Sequence, residues 1–111
     1  MSMESIDLAG IVRDELEAAR QASSGRAART VRGGQNHALK QTVIALRSGA
    51  EMAEHNSPDE GTVQVLAGRV RLVAGPHAWE GGVGEMVVVP PQRHSLLALD
   101  DAVVLLTAVN R

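Results

Sequence analysis

The chain has 111 residues, a formal net charge of -2 from 11 basic and 13 acidic side chains, no cysteine, and Trp79 as its only aromatic residue. That length bounds it to one domain, large enough to bury about two-thirds of the surface its unfolded form exposes. The near-balanced charge leaves no basic footprint for nucleic acid, and the lack of aromatics removes the stacking platforms that single strands need. Without cysteine there are no disulfides and no thiol chemistry, so a metal would be held by nitrogen and oxygen. No stretch approaches the roughly 20 apolar residues that span a bilayer. The N-terminus carries acids, not the basic and then apolar pattern of a signal sequence. The expectation is a soluble, cytoplasmic protein with neither nucleic acid nor membrane as a partner.

Residues 7–23 read as a helix. Leu8, Val12, Leu16 and Ala19 make one apolar stripe at helical spacing, widened by Ile11. Asp7 suits the N-cap, Arg13 and Glu17 stand at i,i+4, and Gly25 suits the left-handed position beyond the end. Such a helix covers one end or edge of a sheet, or else forms a dimer contact.

From Arg26 onward the period shortens. Residues 28–32 and 37–46 read as strands separated by Gly33-Gly34, and a short extended piece at Met52-Ala53 precedes His55. Strands follow at 62–66 and 69–74, with Ala67-Gly68 between them as a two-residue hairpin turn. Further strands are expected at 77–80, 86–89, 94–99 and 102–109, parted by Gly75-Pro76, a glycine-rich turn, Pro90-Pro91 and Asp100-Asp101. Many short strands with regular turn signals indicate an all-β sandwich or barrel. Its core would be drawn from Val43, Ala45, Val63, Val65, Leu72, Val87, Val89, Leu97, Val104 and Leu106 or their alternating neighbours.

Four histidines carry the only candidate chemistry. His37 and His77 sit near turns and read as surface residues, while His55 and His94 each follow a glycine turn and lie beside a proline. Gln64 is a polar residue amid Val63, Val65 and Leu66. Gly33-Gly34 and Gly81-Gly82 are not phosphate loops, because no Lys-Ser/Thr follows and no helix starts there. Ser57 and Ser95 lie near histidines but lack a Gly-x-Ser-x-Gly turn. Trp79 reads as an apolar anchor, and Glu51, Glu54, Asp59 and Glu60 as a solvated acidic loop.

Two stretches together resemble the paired motifs of the cupin family. Gly49, five residues, His55, then Pro58 and the closing Val65-Leu66-Ala67-Gly68 follow the first motif. Gly84, five residues, Pro90 and then His94 follow the second. The resemblance covers about residues 40–108. It implies an all-β, cupin-type antiparallel barrel or jelly roll with one N-terminal helix. Residues 1–36 would supply the helix and a lead-in strand, and residues 37–111 the barrel. It also implies a homodimer, an expectation that edge strands in need of cover support.

The family's usual metal set is three histidines and a glutamate. Here the second histidine position is Ser57, the glutamate position is Gly61 with Glu60 just before it, Gln92 and Ala98 replace a glycine and an asparagine, and His94 comes one residue early. Only His55 and His94 survive as metal ligands. The implied function is a small cupin domain that binds a small polar ligand, a divalent metal (Fe, Zn, Mn, Ni or Cu), or both, through His55, Ser57, Gln64 and His94. The alternative is a metal-dependent cupin enzyme of dioxygenase, isomerase or decarboxylase type.

Overall fold

The computed structural model describes residues 3–110. Helix α1 spans Leu8–Gln21, and the Asp7 carboxylate accepts the Gly10 N–H at 3.1 Å, satisfying one of the orphan donors of the first turn. Gly25, at φ 72°, turns the chain out of the helix into the first strand. Glu17 meets Arg20 at 3.8 Å and accepts from Gln21, so the expected pairing with Arg13 is replaced by partners one turn further along.

Nine strands follow among the described residues: β1 Arg26–Arg32, β2 Leu39–Leu46, β3 Glu51–His55, β4 Glu60–Ala67, β5 Arg69–Ala74, β6 His77–Gly82, β7 Met86–Val88, β8 His94–Ala98 and β9 Ala102–Val109. They form two antiparallel sheets, one in the order β1-β2-β9-β4-β7 and the other β3-β8-β5-β6. The all-β barrel with one helix expected from the motifs is the observed architecture.

One expected connection is different. Gly68 does not close a hairpin between β4 and β5, because those strands lie in different sheets. It turns a corner at φ 70°, packed so closely that a Cβ there would sit 2.2 Å from the Asp101 carbonyl oxygen. The chain passes from one sheet to the other at a place where only a residue without a side chain fits.

The five-stranded sheet contributes side chains to a core cluster on each of its faces. Its inner face gives Ile44, Leu46, Val63, Val65 and Val104 to the space between the sheets, where they meet Val70, Leu72, Leu96 and Ala98 of the second sheet. Its outer face gives Val43, Ala45, Val103 and Leu105 to a second cluster, closed by Ala19 and the Ile11, Val12 and Leu16 stripe of α1. The helix is tied down by Glu15, which is 8% exposed and accepts from the Arg29 guanidinium of β1 at 3.0 Å. A nearly buried carboxylate needs such a partner. On β8 the buried residues are His94, Leu96 and Ala98, so of the two phases expected for the core it is the neighbour of Leu97 that faces inward. Trp79 is half-buried and packs against the inner core, its ring lying over Gly81, where a Cβ would come within 2.2 Å of it. No helix among the described residues is long and apolar enough to cross a membrane.

Candidate functional site

The inner core does not close completely. A cavity of about 20 Å³ remains, walled by Ile44, Val63, Leu72, Leu96, Val104 and Leu106, and completed by Met52, His55 and His94. A single water needs about 10–15 Å³ by the same measure, so the space takes one small group.

His55 and His94 reach it by different routes. His94 opens β8, and its side chain is buried on the same face as those of Leu96 and Ala98, as period two requires. His55 closes β3. Met52 pairs with Leu96 and His55 pairs with His94, so three steps along β3 match two steps along β8. That extra residue is a bulge. Without it, Met52 and His55, three apart, would face opposite sides of the sheet; with it both line the cavity. Arg93 holds the bulge to the start of β8, with its Nε 3.0 Å from the Glu54 carboxylate and its Nη2 donating to the Glu54 carbonyl.

The two imidazole rings meet edge to face, with centroids 4.4 Å apart and planes at 64°. Each Nδ1 lies against a backbone carbonyl two residues back: Ala53 O at 3.1 Å for His55, Gln92 O at 3.0 Å for His94. A carbonyl only accepts, so in the neutral rings each Nδ1 carries the proton and each Nε2 keeps its lone pair. His94 is only 3% exposed, yet no sealed side-chain nitrogen lacks a partner among the described residues. Its Nε2 therefore borders open space, and the cavity is the space it lines. This is the arrangement a ligating histidine takes, with the second ring nitrogen fixed by a carbonyl.

The other two expected site residues are not brought to this cavity. Gln64 is exposed, on the opposite face of β4 from Val63 and Val65. The alternation that makes it look like a polar group in an apolar strand is what turns it outward. Ser57 donates to the Pro90 carbonyl at 2.8 Å and borders an open depression formed by residues 56–59 and 91–93. It ties the two motif loops together. His37 is half-buried, its Nδ1 2.9 Å from the Gly33 carbonyl, and His77 is exposed. Met52 is the cavity residue that sequence reasoning passed over, because only the bulge puts it on the same side as His55.

The family's metal set does not fit these residues. No carboxylate lines the cavity, and no group of three His, Cys, Asp or Glu side chains converges among the described residues. The position of the family's glutamate is sterically closed: a Cβ on Gly61 would lie 2.8 Å from the Pro58 ring and 3.5 Å from Val89. Glu60 is exposed beside it. The carboxyl groups drawn below their usual range are elsewhere, Glu80 by the hydrogen bond from Arg71 and Asp101 by the Ser48 N–H and then Arg20.

No protein-family model matches the sequence, and no curated protein matches it. Solved structures do. An RmlC-like cupin from Desulfovibrio desulfuricans is 26% identical, with 97% of each chain covered and a TM-score of 0.73. A conserved protein of unknown function from Streptococcus pyogenes is 22% identical, covering 100% of this chain and 90% of that one, with a TM-score of 0.73. The salicylate 1,2-dioxygenase from Pseudoaminobacter salicylatoxidans is 22% identical over 90% of this chain but only 32% of its own, with a TM-score of 0.75. With nine antiparallel strands among the described residues, two glycine-proline motifs in order and these neighbours, the chain has the fold of a small cupin domain.

Proposed function

We propose that this cupin domain is a binding module whose pocket takes one small polar group, an ion or the head of a small molecule, on the Nε2 atoms of His55 and His94. The observation that carries it is the pair of imidazoles fixed by backbone carbonyls at the edge of a cavity one group wide. The metal-dependent enzyme has a dioxygenase neighbour in its favour. It lacks a third ligand for a divalent ion and an open coordination position beyond it, which such catalysis requires. Gln64 and Ser57, which do not line the cavity, have no part in this reading.

The test is a titration followed by the ring nitrogen resonances of the four histidines, with acetate, zinc(II) and copper(I) as probes. At least one probe is expected to move the His55 and His94 Nε2 signals together, saturating at one per chain, while His77 stays fixed. If none of the three moves the pair, the reading fails.

We also propose that the domain is a homodimer. Support comes from β7, an edge strand whose Met86 and Val88 are 57% and 70% exposed beside Val83 at 67%. An uncovered apolar edge is a liability that pairing removes.

A further inference from the structure

We propose that an open groove between the edges of the two sheets binds an aliphatic monocarboxylate, its carboxylate on Arg26 and its alkyl chain along Ala28, Ile44 and Met52. The site is separate from the histidine pair and goes beyond the binding-module reading. It follows from an unequal strand count. One sheet has five strands and the other four, with β1 and β3 at their edges. Arg26 pairs with Leu46 and Ala28 with Ile44, so the inner face of β1 continues the face that Leu46 and Ile44 turn toward the core. The second sheet ends at β3, and Arg26 and Ala28 are left exposed. The groove between them and Met52 holds about 440 Å³, within the roughly 300–1,000 Å³ of small-molecule sites.

Its chemistry is that of a host for an amphipathic anion. Ala28, Ile44 and Met52 give aliphatic walls, and Trp79, the only aromatic residue, does not line them. A flexible alkyl chain suits such walls better than a flat ring, and the unbranched Met52 side chain adapts to it. Ser24 and Thr42 add hydroxyls. Among the described residues Arg26 is the only charged side chain lining the groove.

Arg26 is also placed to receive the head group. Arg20, Arg29, Arg71 and Arg93 each meet a carboxylate, whereas Arg26 meets none among the described residues. Its Nη1 donates to the Glu51 carbonyl of β3 at 3.3 Å, which stretches the guanidinium from one sheet edge to the other. A guanidinium has five N–H donors in a planar fork, so this one bond leaves donors for a carboxylate. An exposed charge pair adds little affinity by itself. Burial of the chain supplies most of the binding, and Arg26 selects the head group.

The experiment is a calorimetric titration of the full chain with octanoate, octanol and octylamine, followed in parallel by the methyl resonances of Ala28, Ile44 and Met52. Octanoate is expected to saturate at one per chain, to move all three methyl signals, and to bind about fivefold more tightly than octanol. Octylamine should bind more weakly than either. Arg26→Gln, checked for folding by its thermal melt, should weaken octanoate about fivefold and leave octanol unchanged. Ala28→Asp, at an exposed position, should weaken octanoate at least as much by placing a like charge in the groove. Three outcomes each overturn the proposal: no saturable octanoate binding, octanol bound as tightly as octanoate, or R26Q binding octanoate like the wild type. Octanoate that moves the His55 and His94 ring nitrogens but not the Ala28 methyl also overturns it, and leaves the binding module standing. A wild-type dimer that binds no octanoate and is split by Ala28→Asp would assign the groove to a second copy of the chain instead.

Discussion

Gly68→Ala is a sharp test of the corner where the chain changes sheets. At φ 70°, an alanine there costs about 1–2 kcal/mol for the left-handed backbone alone. Its Cβ would also lie 2.2 Å from the Asp101 carbonyl oxygen and 2.9 Å from the Ala102 Cα, both of them backbone atoms that cannot rotate aside. The β8–β9 turn must retreat by roughly an ångström to reach ordinary contact. That turn also carries the Asp101 carboxylate, which accepts from the Ser48 N–H and from Arg20 Nε, each at 2.8 Å. A hydrogen bond to a charged group is worth about 1.5–3 kcal/mol when buried, and less at a site this exposed. The expected loss is therefore about 3–4 kcal/mol. Gly49 and Gly84 supply the control, since their φ values of 86° and 88° carry the same backbone cost with nothing within 4 Å of the added Cβ. Alanine at either should cost only about 1–2 kcal/mol. Urea unfolding read by the fluorescence of Trp79, the sole tryptophan, measures all three variants. A Gly68→Ala protein within about 0.5 kcal/mol of Gly49→Ala would refute the steric account of the corner.

The Asp101 carboxyl is held below its ordinary value first by the Ser48 N–H and then by Arg20. Its contribution is thus fully present above the unfolded carboxyl value of about 3.9 and is lost as pH falls through the lower folded one. Asp101→Asn should flatten the decline in urea midpoint between about pH 5 and pH 2, and an unchanged acid slope would count against this linkage. For the dimer, light scattering should give the mass of two chains, and Val88→Lys on the β7 edge should shift it toward one. A wild-type monomer at all accessible concentrations would end that proposal.

The barrel was legible because glycine and proline punctuate this chain at nearly every turn, and because Gly49, His55, Pro58, Gly84, Pro90 and His94 stand in motif order. β5 and β9 fall at the expected residues for that reason. What the pattern hid was phase. Residues 43–46 are all buried, alternate ones facing the helix and the second sheet, so their apolar run carries no sign of which way each points. Gln64 misled for a related cause: a polar residue in an apolar strand marks the solvent face as readily as a pocket. Gly68 looked like a hairpin because turn chemistry is local, whereas the partner of each strand is chosen by long-range pairing. The bulge in β3 depends on that same pairing, and with it went Met52. Gly61 explains the missing glutamate only once Pro58 is seen packed against it.

The two histidines stand on unequal ground. His94 belongs to β8, which is hydrogen-bonded on both sides, by β3 and by β5. His55 belongs to β3, which among the described residues borders no strand other than β8 and is paired through a broken register. A strand held along one side bends at lower cost than one held along both. The pocket thus has an anchored nitrogen and a compliant one. In the binding reading proposed above, a ligand would be positioned by the first and gripped by the second, and selectivity would reside in how far one short edge strand has to travel.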